Sequence, residues 1–339
     1  MKGGLHLEVA LSGGVVRSAQ LRSRRPVSLC RAMVGRPAAD VPAAVERLYA
    51  LCGRSHRIAA RFALDAARGR TMTEAARREA VRDLATERVG EHLRSTFTTA
   101  AGLGFATTPV EKDALRAALI ATRPGAKGAG LASALAVLGL DGAPPAPASW
   151  TMRMLDAVGP EADGAGPVDG LSPADDPAVL AGLAGSGLAY AALPHLPLRR
   201  PETGPLARSF GTAAPRDRLA ARFAEILQAA TLLHNDAEEA PKSWIARGTL
   251  LDGSGFAAVE SPRGRLYHVT AVDTQGRVAR FVVLAPTEWN FHPDGPLVHA
   301  LPGLRLGTGT AAEERIRWLV GLFDPCVAYT LDLTEGADA

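Results

Sequence analysis

The spacing of apolar residues changes near Trp244, and that change restricts the chain to folds that combine helices with a sheet. Downstream, over residues 244–290, the runs ARGTL, GFAAVE, RLYHVTAV and RVARFVVLAP are separated by glycine-containing turns, with Thr274-Gln275-Gly276 placed as a hairpin turn. Short β-branched and aromatic runs bounded by such turns read as strands. Upstream the spacing is helical. Leu219, Phe223, Ile226, Ala230 and Leu233 recur at intervals of four and three over 216–234, which places them on one helical face. A second helix is expected over 73–98, where Thr73 can cap and Val81, Leu84, Val89 and Leu93 form a stripe, and a third over 42–66, with Pro42 near its start.

The remaining segments divide less sharply. Residues 5–20 alternate around Gly13-Gly14, the signature of a hairpin. From about 141 to 215 the chain is rich in Gly, Pro, Ala and Asp, interrupted by a helical piece at 176–191, and reads mostly as surface loop. A last helix is expected to open at Thr310, where Thr310 and Glu313 have capping-box spacing, and to break at Asp324-Pro325. At 339 residues the chain has room for one large unit or two. We read residues 1–339 as one domain. Its parts are 1–60 (hairpin and first cysteine segment), 61–140 (helices), 141–215 (variable region), 216–243 (helix), 244–300 (β region) and 301–339 (terminal helix and DPC segment). The class is α+β, a helical-bundle core with flanking antiparallel strands.

Charge and hydropathy exclude two function classes. The net charge is +3, but apart from Arg22, Arg24 and Arg25 the basic residues are scattered, whereas a nucleic-acid binder gathers them on one face or stripe. No apolar stretch reaches the ~18 residues that a membrane span needs, and the start has no continuous apolar run of a secretory signal. A cytoplasmic location is expected.

Three cysteines, Cys30, Cys52 and Cys326, are too few and too far apart for a disulfide framework. Each could be a small buried hydrophobe, a metal ligand or a reactive thiol. Cys52 and His56 stand four apart, on one helical face; they could share a metal, or pack as a buried thiol beside a surface imidazole. Gly253-Ser254-Gly255 and Gly307-Thr308-Gly309 lack the context of a nucleotide loop. HExxH, CxxC and nucleophile-elbow patterns are missing from the sequence.

Two longer segments carry a resemblance. GRPAADVPAAVERLYALCGRSH, residues 35–56, is similar to the N-terminal cysteine segment of nickel–iron hydrogenase large subunits, G-R-D-P-R-D-x-P followed by E-R-I-C-G-x-C and a His. Gly35, Arg36, Asp40, Pro42, Glu46, Arg47, Cys52 and His56 match it without a gap. LFDPCVAYTLDL, residues 322–333, resembles the terminal D-P-C-x-x-C-x-x-H through Asp324, Pro325 and Cys326. Between them, Pro262-Arg263-Gly264 with His268 resembles the P-R-G segment, and Ala285-Pro286-Thr287-Glu288-Trp289-Asn290 resembles V-P-[ST]-T-W-N. Residues from about 100 to 215 carry no match.

The departures matter as much as the matches. Two of the four thiolates that the resemblance implies for a binuclear site are replaced, by Tyr49 and Tyr329, and the terminal His by Asp332. A phenol is a poor ligand for soft metals, so no nickel is expected and no cut after Asp332. Such a pattern is similar to HupK-type hydrogenase accessory proteins. It implies a non-enzymatic scaffold or chaperone in hydrogenase maturation that holds an Fe(CN)2(CO) fragment transiently on Cys52 and Cys326. Arg263 and Thr287 would face its cyanides, with Ala285 and Pro286 around its carbon monoxide. Glu46, His56, Tyr49 and Tyr329 would surround the metal, and Cys30 falls where the family carries a proton-handling Glu. The implied partners are a HypC-like small maturation chaperone and the hydrogenase large-subunit precursor. Two other readings stand beside this one. One is a divergent mononuclear metalloenzyme using Cys52, Cys326 and His56; the other is a metal-free structural partner.

Overall fold

The computed structural model describes residues 4–123, 125–126, 128–158, 166–209, 211–235 and 240–336. Residues 159–165 and 210 of the variable region lie outside these.

The chain opens with β1 (Leu5–Ser12) and β2 (Val15–Ser23), antiparallel around the expected Gly13-Gly14 turn. The helix expected over 42–66 is two helices, α1 (Val41–Leu48) and α2 (Gly53–Ala67), separated by a 3-10 turn at Ala50–Cys52. Tyr49 (φ −110°, ψ 56°) and Cys52 (φ −144°, ψ 39°) leave the helical region, and periodicity could not reveal this because the apolar spacing continues across the break. Thr73 caps α3 (Glu74–Gly102) by accepting from the Ala76 amide. α4 (Pro109–Ala121), α5 (Leu131–Leu138) and α6 (Trp150–Ala157) follow. The helical piece at 176–191 splits at Gly187 into α7 (Asp176–Ser186) and α8 (Leu188–Ala192), and α9 spans Pro215–His234.

The four strand-like runs form one antiparallel sheet in sequential order, β3 (Ile245–Thr249), β4 (Gly255–Ser261), β5 (Gly264–Val272) and β6 (Val278–Leu284). Both faces are covered. Ala257, Val259, Leu266, Phe281 and Val283 pack into the helical core, while Ala258, Tyr267, Val269, Val282 and Leu284 face a second cluster with Val179, Leu183 and Tyr190. Alternating residues going to opposite faces is the period of a strand. At Gly255 a Cβ would lie 2.1 Å from the Ala63 carbonyl oxygen of α2, so glycine is required for helix and sheet to meet there.

Short helices α10 (Pro286–Asn290) and α11 (Pro296–Ala300) lead to α12 (Gly309–Phe323). The capping box expected at Thr310 does not form: the N-cap is Thr308, two residues earlier, and its side chain makes no capping bond. The first amide of the helix, Gly309, donates to the Glu335 carboxylate at 2.6 Å. Beyond the helix the chain forms a strand that the sequence reading left out, β7 (Tyr329–Gly336), parallel to β1 from Leu5↔Tyr329 to Ser12↔Gly336. The N-terminal sheet is therefore β2-β1-β7, with one parallel pair. No helix among the described residues is long and apolar enough to cross a membrane.

Candidate functional site

Each cysteine segment is shaped by local backbone geometry. Cys52 occupies the N-cap position of α2 without a side-chain capping bond. The cap comes instead from Glu87 of α3, whose carboxylate accepts from the Arg54 amide at 2.8 Å, the Ser55 amide at 3.0 Å and the Ser55 hydroxyl. Gly53 permits the tight turn, since a Cβ there would meet the Glu46 carbonyl oxygen at 2.6 Å. Cys326 follows the end of α12, where Arg222 donates to the carbonyls of Gly321 (3.0 Å) and Leu322 (2.9 Å). Such bonds satisfy acceptors that a helix C-terminus leaves open. Asp324 then takes a left-handed conformation (φ 52°), unusual for a residue with a side chain.

Arg263 joins the two segments. It occupies the two-residue turn between β4 and β5, where the left-handed Gly264 (φ 132°) lets the hairpin close. Its guanidinium donates to the Leu51 carbonyl at 3.2 Å, to Glu91 at 3.0 Å and to Asp324 at 3.4 Å. The residue before Cys52 and the residue two before Cys326 thus hang on one side chain. Burial alone would lower the Arg263 pKa, but Asp324, Cys52 and Glu91 more than reverse that and keep it charged.

Cys52 and Cys326 line the same cavity of about 200 Å³, although 274 positions separate them in sequence (326 − 52). Thr287 Oγ1 lies 3.1 Å from the Cys326 sulfur. Arg25 Nη2 donates to that sulfur at 3.4 Å, and Nη1 pairs with Glu288 at 2.5 Å. Ala285 and Glu288 line the wall, and Pro286 is buried between them in the chain. His56 and Tyr49 complete it, their rings stacked with centroids 3.8 Å apart.

The electrostatics disfavour negative charge on the Cys52 thiol and the Tyr49 phenol. Burial pushes the Cys52 thiol well above its ordinary value, the neighbouring Cys326 adds to this, and Arg263 opposes it. Burial and the neighbouring cysteines hold Tyr49 as a phenol. His56 is kept neutral by burial and by His268, whose Nε2 lies 2.9 Å from His56 Nδ1. Burial lowers His268 itself to about 3. A metal that claimed both sulfurs would have to displace the Cys52 proton, as ligand thiols generally require.

Several expected site residues lie elsewhere. Arg263 is behind the cysteines, its donors committed to Leu51, Glu91 and Asp324 rather than lining this cavity. Tyr329 does not line the cavity, because pairing with Leu5 carries it into β7, where its ring lies 5.9 Å from the Arg317 guanidinium. Glu46 pairs with Arg57 at 3.3 Å and faces a separate hollow beside Glu87 and Glu91. Cys30 is fully buried, its sulfur 3.3 Å from the Val27 carbonyl oxygen and 3.4 Å from that of Phe281; burial raises its pKa and it does not line the cavity.

Sequence reasoning missed Arg25 and Glu288. Arg25 belongs to the one basic cluster noted in the sequence, and Glu288 occupies the position of a threonine in the V-P-[ST]-T-W-N pattern, so both left a trace. Among the described residues no group of three His, Cys, Asp or Glu side chains is placed to hold a metal ion. Cys52 and Cys326 bring two sulfurs to the cavity wall.

Comparisons with known proteins agree with this architecture. Residues 203–331 match the family described as nickel-dependent hydrogenase. The chain is 33% identical to the hydrogenase expression/formation protein HupK of Bradyrhizobium diazoefficiens, over 99% of this chain and 98% of that one. It is 34% identical to the HupK of Rhizobium leguminosarum bv. viciae over the same shares. Among solved structures it resembles the Ni-Fe-Se hydrogenase of Desulfomicrobium baculatum, with a TM-score of 0.61 and 16% identity over 94% of this chain and 95% of that one. That likeness is one of fold.

Proposed function

The chain belongs to the HupK family of hydrogenase expression/formation proteins, and on that premise we propose that it serves hydrogenase maturation as a non-catalytic scaffold whose two-sulfur cavity receives an Fe(CN)2(CO) fragment as cargo. One observation carries the reading: sulfurs from the two ends of the chain share one cavity beside a guanidinium and a hydroxyl. Soft thiolates suit low-valent iron, and the carbon monoxide end would meet an apolar wall that includes Val283 and Ala285. Two sulfurs are half the set needed for a binuclear centre, which fits loading and release better than permanent residence. Among the described residues no group of three His, Cys, Asp or Glu side chains is placed to hold a metal ion, and this argues against a three-ligand mononuclear enzyme site.

The cavity mouth also fits a transfer role. Leu29 and Leu48 line it and are each 37% exposed, and Val34 nearby in the chain is 47% exposed. Exposed apolar residues beside a cavity suit a protein partner. We assign that surface to a HypC-like small chaperone and to the hydrogenase large-subunit precursor. The test is infrared spectroscopy of protein purified anaerobically together with its maturation partners. Cyanide and carbonyl bands are expected, and both Cys52→Ala and Cys326→Ala should remove them. A hydrogenase matured to full activity in cells carrying both substitutions would overturn the proposal.

A further inference from the structure

Two guanidinium groups stand next to the cysteines, and their commitments differ. Arg263 binds one carbonyl and two carboxylates, and releasing it would untie both cysteine segments. Arg25 faces the cavity from the opposite side, on the segment that follows β2. Its side chain donates once to Glu288 and once to the Cys326 sulfur, against five N–H donors on a guanidinium.

Glu288 sharpens the difference. It is 6% exposed, it sits next to Thr287, and Arg25 is its ion-pair partner. A buried ion pair contributes little net stability compared with apolar residues of similar size, and its best-attested use is to fix a register or a switch. The pair joins positions 263 apart, and both residues line the cavity with the sulfurs, so its energetic logic is local to this cavity.

We propose that Arg25 is the residue that anchors the anionic end of the cargo, and that Glu288 is the counter-ion that holds Arg25 in place until the cargo arrives. The inference rests on the iron-fragment reading above and names the group that recognises the fragment. The nitrogen ends of iron-bound cyanide are hydrogen-bond acceptors carrying negative charge, and a guanidinium offers them charge-assisted bonds from a planar fork. Carbon monoxide makes no such demand and is left to the apolar wall. The same charge discriminates. A bare divalent cation entering between the sulfurs meets the positive charge of Arg25, whereas a fragment bearing two cyanides brings the compensating charge with it.

The experiment compares three variants, Arg25→Gln, Arg25→Lys and Glu288→Gln, each co-produced with the maturation partners, purified anaerobically, checked for folding by thermal melt, and read by infrared spectroscopy and iron content. Arg25→Gln should retain roughly tenfold less cyanide-bearing iron, the loss expected for one charge-assisted hydrogen bond. The cyanide bands of what remains should shift relative to the parent. Arg25→Lys should recover part of the retention with shifted bands, and it stands in if the Gln variant does not fold. Glu288→Gln should keep the fragment, because it removes the competitor and not the anchor. Parent bands that persist unshifted and at full strength in both Arg25 variants would overturn the anchor while leaving the cargo reading intact. Equal loss in the Arg25 and Glu288 variants would also overturn it, since a merely structural pair behaves that way. Parent protein with iron-free cysteines and no bands would overturn both.

Discussion

His56 and His268 are two buried imidazoles 2.9 Å apart that share one hydrogen bond, so at least one facing ring nitrogen must act as acceptor and the two rings cannot both be protonated. Both pKa values are lowered, His56 by burial and by His268, His268 by burial to about 3. An unfolded histidine titrates near ~6.5. Below that pH the unfolded chain takes up protons that the folded pair refuses, so the pair favours folding above ~6.5 and this contribution is lost as pH falls. Between pH 7 and pH 5 the loss is roughly 2 kcal/mol for His268, and His56 acts in the same direction. Urea unfolding of the parent and of a His56→Phe/His268→Phe double variant at both pH values isolates it. The parent should lose that much more stability than the variant on acidification. Parallel pH profiles would show that the imidazoles are not buried as a neutral pair. At this scale the sequence disclosed identities better than contacts. Cys52, His56 and Cys326 were readable from their spacing and neighbours, whereas Arg25 was not, because its function depends on a partner 263 positions away.

The elements that place these residues obey local rules which the sequence exposes unevenly. The Thr73 cap and the Gly13-Gly14 turn were legible because each depends on a few adjacent residues. The break between α1 and α2 was not, because it depends on Glu87 reaching over from α3 to cap the second helix. β7 was passed over because its strand identity comes from β1, more than 300 positions earlier. The Glu87 cap has its own signature. Burial raises the carboxyl from the usual 4.5 to about 7, against the pull of its bonds to Ser55 and Arg54. A raised carboxyl stabilises the fold fully below the unfolded value and loses that contribution as pH climbs through about 7. Glu87→Gln should therefore be less stable than the parent near pH 4.5 and gain on it by about 3 kcal/mol by pH 8. Chemical denaturation across that range checks it, and a stability difference independent of pH would rule the buried cap out.

At the scale of the whole molecule, the fold brings its two ends together to build one cavity. The N-terminal hairpin runs into the Arg25 segment, with the Arg24 amide bonded to the Gly4 carbonyl at 2.9 Å, and the Cys326 segment runs into β7, with the Leu5 amide bonded to Ala328 at 3.1 Å. One sheet, β2-β1-β7, thus anchors both the cation and the sulfur at the same edge of the cavity, while the larger sheet and α2 supply the opposite wall. Asp332 lies in the middle of β7 opposite Glu8, with its carboxylate 3.5 Å from His6, so a cut after it would remove half of that strand. A chain ending at Ala328 removes all of it. Leu331 and Leu333 would no longer pack on the N-terminal cluster, and β1 would present an open edge. The expected loss is roughly 2–4 kcal/mol, on the scale of two partly buried leucines. The consequence should be uneven. Amide hydrogen exchange should quicken in residues 24–30 and 323–328, which the small sheet holds, and stay slow in β4 to β6, which belong to separate apolar clusters. Unchanged protection at 323–328 would mean that Arg263 and Arg222 alone fix the Cys326 turn; quickening throughout would mean that the two sheets unfold as one unit.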